Sequence, residues 1–168
     1  MVDTLISIRS ARTADSPEIA RVHDLSWREA YRGIIPGKEL ERIVARRGPQ
    51  WWSKAINRGS NIIVMEFKGL VSGYATYGRN RLPSLPYRGE IFELYLAPEY
   101  QGLGFGRQLF TAAREDLYRY RCGNIVVWAL SDNARAHQFY AGLGGKVVRS
   151  APERFGSEIR ERVAFGFD

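Results

Sequence analysis

The 168 residues contain one cysteine, Cys122, and only two histidines, His23 and His137. One thiol forms no internal disulfide, and a lone cysteine with two distant histidines argues against a metal cluster, so no metal site is expected. No apolar run approaches the roughly 18 residues that span a membrane, which argues against a membrane partner. Met1 to Ser10 carries neither a basic leader nor a long apolar stretch, so a cytoplasmic location is expected. There is no repeat of fixed period and no low-complexity tract. The length leaves little room for a second unit, and residues 1–168 read as one domain.

What is present is a soluble composition with a real core, 45% apolar and 26% charged. The net charge of +7 suits ligands that carry phosphate, from nucleic acids to nucleotide cofactors. The arginines are scattered from Arg9 to Arg162 and are not interleaved with aromatics in one stretch, so nucleic acid is not the expected partner.

Patterning predicts a strand at Ile6–Arg9, then a helix capped by Asp15 or Ser16 with Pro17 in its first turn. Further helices are expected over Lys38–Arg46 and after Pro49. Strands follow at 61–67 and 70–77 around a Lys68-Gly69 turn, then a loop over 80–89 and a strand over Glu90–Leu96. After Gln101–Gly106 comes a long helix bearing Leu109, Ala113 and Leu117 at helical spacing. Asn124–Leu130 is an apolar strand, and Ser131-Asp132-Asn133 caps a helix ended by Gly144-Gly145. Closing strands are expected at Lys146–Arg149 and Ile159–Phe167. The fold class is α/β: a mixed, partly antiparallel central sheet with helices on both faces.

The stretch from Leu94 to Arg107 carries the chemistry. A strand enters a glycine turn, and the turn opens a helix whose first N–H groups lack internal partners at the positive end of its dipole. Glycines let an anion come close to that backbone, which makes a phosphate cradle. Gly102-x-Gly104-x-Gly106 has the wrong final spacing for a dinucleotide fingerprint, and Arg107-Gln108 replaces the Lys-Ser/Thr of a P-loop.

What remains is Q-x-x-G-x-G, with Gln101, Gly104 and Gly106, behind a Leu-Tyr-Leu-x-Pro-x-Tyr strand. It resembles the coenzyme A diphosphate loop of the GNAT superfamily, the Gcn5-related N-acetyltransferases. Asn133, Tyr140 and Leu143-Gly144 resemble that family's Asn…Tyr…Gly helix. Trp27 and Tyr31-Arg32-Gly33-Ile34-Ile35-Pro36 resemble the N-terminal helix pair of a bacterial branch. Gly145 stands where the family often has an aromatic residue.

The resemblance implies acetyl transfer from acetyl-CoA to a primary amine of a small molecule, peptide or protein. It implies that the backbone of Leu94, Tyr95 and Leu96 holds the pantetheine arm beside Asn133. Gln101, Gly102, Leu103, Gly104, Phe105, Gly106 and Arg107 would hold the diphosphate. Tyr140 would protonate the departing thiolate, and a carboxylate of the preceding strand, Glu90 or Glu93, would serve as base. The resemblance also implies that this strand splays from the next at a bulge; in a regular strand the two carboxylates lie on opposite faces, so at most one faces the substrate unless the bulge intervenes. Glu90 is preferred, because its distance from the glycine loop matches the base of the histone-acetylating branch. A homodimer is compatible with the superfamily. The competing reading is a non-catalytic acyl-CoA sensor.

Overall fold

The structure is a computed structural model that describes residues 5–168. Met1 to Thr4, where the segment read for a leader begins, lie outside the described residues. The strands are β1 (Ile6–Ser10), β2 (Asn61–Phe67), β3 (Leu70–Arg79), β4 (Gly89–Leu96), β5 (Ile125–Leu130), β6 (Lys146–Phe155) and β7 (Glu158–Phe167). The helices are α1 (Ser16–Tyr31), α2 (Gly37–Arg46), α3 (Pro49–Asn57), α4 (Phe105–Arg119) and α5 (Ala134–Gly142).

The strands form one sheet in the order β1-β2-β3-β4-β5-β7-β6, antiparallel everywhere except between β4 and β5. Side chains alternate between its two faces. Ile63, Met65, Ala75, Ile91 and Val127 meet Leu109, Ala113 and Leu117 of α4 on one face. Ile62, Val64 and Tyr74 meet Ile19 and Val22 of α1 and Trp52 and Ala55 of α3 on the other. Helices thus cover both faces, as expected. Burying each such side chain contributes about 1.5–3 kcal/mol, so two full faces supply the core a chain of this size needs.

Local chemistry explains three details. The β2–β3 turn places both Lys68 (φ 53°) and Gly69 (φ 79°) in the left-handed region, as a two-residue hairpin requires. Asp15 sits at the N-cap of α1, but its carboxylate does not cap that helix. It accepts from the Arg12 N–H at 2.7 Å and pairs with Arg9 at 2.8 Å, fastening the short turn before α1 to β1. The closing hairpin is longer than the pattern predicts, because β6 runs through Pro152 to Phe155. Proline lacks an N–H, yet β6 is an edge strand with one unpaired side, where proline is tolerated.

The pairing that positions the site is the shortest one. β4 and β5 share only Gly89–Ile125, Glu90–Val126 and Ile91–Val127. Beyond Ile91 the strands part. At the same level the β3–β4 register slips, with Tyr77 opposite Ile91 and Thr76 opposite Glu93, so Phe92 is the extra residue of a bulge.

Candidate active site

The parting of β4 and β5 opens a cleft of about 960 Å³. Its floor includes Leu94, Tyr95 and Leu96, and its far wall includes Asn133 and Tyr140 of the α5 segment. The glycine turn closes one end. Gly102 (φ 77°) and Gly104 (φ 85°) occupy left-handed backbone, and Gly104 is the N-cap of α4. Only glycine adopts that conformation without strain. Gly106 serves another purpose, since an added Cβ would lie 3.0 Å from the Phe139 ring. The turn therefore aims the free N–H groups of α4 into the cleft, and the first turn of α4 holds no acidic residue that would repel an anion.

Gln101, Gly102, Gly104, Gly106 and Arg107 also line this cleft. Leu103 and Phe105 do not: Leu103 is exposed, and Phe105 is buried in the core under α4. The Gln101 amide donates to the Leu96 carbonyl at 3.1 Å, as does the Ser26 hydroxyl at 3.2 Å. These two bonds fix the end of β4 relative to the turn and α1. Asn133 caps α5, its Oδ1 accepting from the Ala136 N–H at 3.2 Å.

Tyr140 is buried against Phe110, Phe139, Phe165 and Phe167. Burial, and then the neighbouring Tyr31, push its phenol well above the ordinary value. The hydroxyl stays protonated at neutral pH and is available as a donor.

A second cavity of about 560 Å³ lies on the α1/α3 side of β4. It shares Tyr31, Phe92, Glu93, Tyr95, Trp128 and Ala129 with the first. The two carboxylates of β4 face the same way. The bulge at Phe92 cancels the odd spacing, so Glu90 and Glu93 lie on one face where a regular strand would separate them. Their surroundings differ. Glu90 is 2% exposed and borders neither cavity; Arg81 holds it by its main-chain N–H (3.0 Å), Nε (3.3 Å) and a terminal nitrogen (2.7 Å). It clamps the loop that precedes β4. Glu93 borders both cavities, accepting from Arg47 at 2.6 Å and from the Thr76 hydroxyl at 3.4 Å.

Sequence reasoning did not find Arg47, Thr76, Trp128 or Arg162, which line the second cavity. Trp128 alternates with the core residues Val127 and Ala129, so strand periodicity carried a signal for it. Arg47 follows the last turn of α2 and carries no such signal.

A family model described as the acetyltransferase (GNAT) family matches residues 19–144. The chain belongs to this family. The uncharacterized N-acetyltransferase YuaI of Bacillus subtilis is 29% identical over 157 residues, covering 94% of this chain and 90% of that protein. The fold matches the PaiA N-acetyltransferase of Thermoplasma acidophilum, solved in complex with coenzyme A. That match has a TM-score of 0.76 at 20% identity and covers 94% and 97% of the two chains. YncA of Salmonella typhimurium, solved with its cofactor acetyl-CoA, matches with a TM-score of 0.64 at 23% identity, covering 98% and 94%. Membership of the GNAT family makes acetyl-CoA-dependent N-acetyl transfer the chemistry of this chain, with acetyl-CoA as donor.

Proposed function

We propose that the protein acetylates the primary amine of a small-molecule acceptor, with the donor in the glycine-capped cleft and the acceptor in the second cavity. The observation that carries this reading is the junction of the two cavities at Glu93, with Tyr140 in the wall of the donor side. The main-chain N–H groups of Gly102, Gly104, Gly106 and Arg107 hold the diphosphate at the helix N-terminus. Beyond Ile91 the β5-facing edge of β4 is unpaired, which leaves the backbone of Leu94 to Leu96 to bind the pantetheine arm and polarise the thioester carbonyl.

The amine nitrogen attacks that carbonyl, so a C–N bond forms and the C–S bond breaks. Protons leave the nitrogen through water to Glu93, and the departing sulfur takes one from Tyr140. Tyr140 recovers its proton from solvent, and one proton is released overall for each protonated amine consumed. Glu93 holds the base role because it reaches both cavities, whereas Glu90 is sealed under Arg81.

The same reading places the protein in the cytoplasm, where acetyl-CoA is available and the buried Cys122 stays a free thiol. It includes a homodimer, supported by the exposed edge strand β6 with Val147 57% exposed. Light scattering on the purified protein tests that point.

The decisive assay mixes protein, acetyl-CoA and a panel of amines and follows free thiol. Release dependent on an amine is expected, and silence across the panel contradicts the reading. Glu93→Gln should remove the acidic limb of the pH–rate profile, while Glu90→Gln keeps the parent's limb and melts at lower temperature. If both keep the parent's profile, neither carboxylate is the base.

A further inference from the structure

The acceptor cavity is lined by four arginines, Arg47, Arg58, Arg81 and Arg162, and only two carboxylates, Glu93 and Glu153. Three of the guanidinium groups lie over aromatic rings: Arg47 at 3.9 Å from Trp51, Arg81 at 4.3 Å from Phe92, and Arg162 at 4.1 Å from Trp128. Two are committed elsewhere. Arg47 is bonded to Glu93 at 2.6 Å, and Arg81 to the buried Glu90 at 2.7 Å.

Arg47 and Arg162 both leave a buried Nε without an acceptor among the described residues, but Arg162 also lacks a hydrogen-bonded carboxylate on its terminal nitrogens. Its nearest carboxylate, Glu153, is 3.8 Å away, beyond hydrogen-bonding distance. Its Nε is buried and has no acceptor among the described residues. A buried guanidinium N–H without an acceptor is unfavourable, and a ligand oxygen placed there relieves it. Trp128, on which Arg162 is stacked, borders both cavities, so this open donor stands beside the junction. With Arg81 neutralised by Glu90, Arg47 by Glu93 and Arg162 facing Glu153, the surplus is one positive charge, that of Arg58, which makes no ion pair among the described residues.

An acceptor amine arrives as a cation. A cavity with surplus positive charge repels a cation that brings nothing else, such as a polyamine or a lysine side chain. A molecule that carries its own anion next to the amine meets no such barrier. A carboxylate matches the planar fork of a guanidinium, with two parallel N–H···O bonds. Trp27 and Trp51, both partly exposed, line the same cavity and offer apolar surface to the rest of the molecule, backed by the fully buried Trp52.

From these contacts we infer that the acceptor is an α-amino acid with an apolar or aromatic side chain. Its carboxylate docks on Arg162 and its amine lies toward Glu93. The inference rests on the acetyl-transfer reading and narrows it to one class of acceptor.

Matched acceptors test it: L-phenylalanine, L-phenylalanine amide and phenethylamine, with the corresponding L-methionine series and spermidine as the cationic control. Thiol release with acetyl-CoA gives kcat/KM, and calorimetry gives binding of each acceptor to the protein saturated with coenzyme A. The free amino acids should exceed their amides and decarboxylated amines by about ten- to a hundredfold in both measurements. Arg162→Met should collapse that ratio, and Arg162→Lys should restore part of it. Should Arg162→Met not fold, the ratio measured on the parent protein decides alone. Equal or better use of amides, amines or spermidine overturns the inference and leaves acetyl transfer standing. An Arg162→Met protein that keeps the full ratio also overturns it. Binding of amino acids but not of amines, with no thiol release, supports this acceptor class and contradicts the enzymatic reading. No binding and no turnover of any amino acid overturns the inference.

Discussion

His23 is fully buried on α1 between Trp27 and Trp52, and neither ring nitrogen has a partner among the described residues. Burial, and then the charge of Arg47, push its pKa down from 6.5 to about 3. The folded protein therefore keeps His23 neutral where the unfolded chain protonates it. This contribution to stability is complete above pH 6.5 and is lost as the pH falls from there toward 3. Between pH 7.5 and pH 5 the loss is about 2 kcal/mol. Urea midpoints at the two pH values should show that loss in the parent and not in His23→Phe; an equal loss in both would mean that His23 is not its source. Tyr140 has the opposite displacement, upward. It should impose no alkaline limb on kcat below about pH 10. Tyr140→Phe should lower kcat by about 10²–10⁴-fold and leave coenzyme A affinity in place, as calorimetry and steady-state rates would show together. Single residues of this kind differ in how plainly they are written. Tyr140 was legible because, with Asn133 and Leu143-Gly144, it resembles the family's Asn…Tyr…Gly helix. Arg162 was not, since a charged residue on a strand reads as solvated until its neighbours Trp128 and Glu153 are known.

At the scale of elements, the glycine turn is the most legible part of the chain. Left-handed φ at Gly102 and Gly104 excludes most other residues, so the geometry is recorded in the sequence itself. An alanine at 104 has room, because nothing lies within 4 Å of its Cβ, but it must hold φ at 85°. Gly104→Ala should cost about 1–2 kcal/mol of stability in thermal melting and weaken coenzyme A binding as the turn re-aims its N–H groups. Unchanged affinity would remove the turn from the donor site. A bulge in this strand was implied by the family resemblance, but its place at Phe92 was not legible in the residues. Nothing in Glu90-Ile91-Phe92-Glu93 marks an extra residue, and the fact that both carboxylates share a face emerges only from pairing with β3. The reach of β6 through Pro152 was hidden for a related reason, because proline is a strand breaker everywhere except at an edge.

The molecule as a whole works by parting two strands. Antiparallel ladders hold the sheet on either side, and the parallel β4–β5 pair is only three residues long. The first cleft opens where that pair ends, and the second cavity meets it at Glu93. The order of elements and the mixed sheet could be read from periodicity and turn residues, whereas the depth and charge of the second cavity depend on α1, α3, β5 and β7 coming together from distant parts of the chain. The +7 charge favours a polyanionic donor, and affinity for it should decline as salt is raised. Titration calorimetry of coenzyme A into the 168-residue protein is the most direct measurement of the proposed donor site. Saturable binding of one coenzyme A per chain, weakened by Gly104→Ala, is expected; a folded protein that takes up no coenzyme A contradicts the glycine cradle and every role that depends on it.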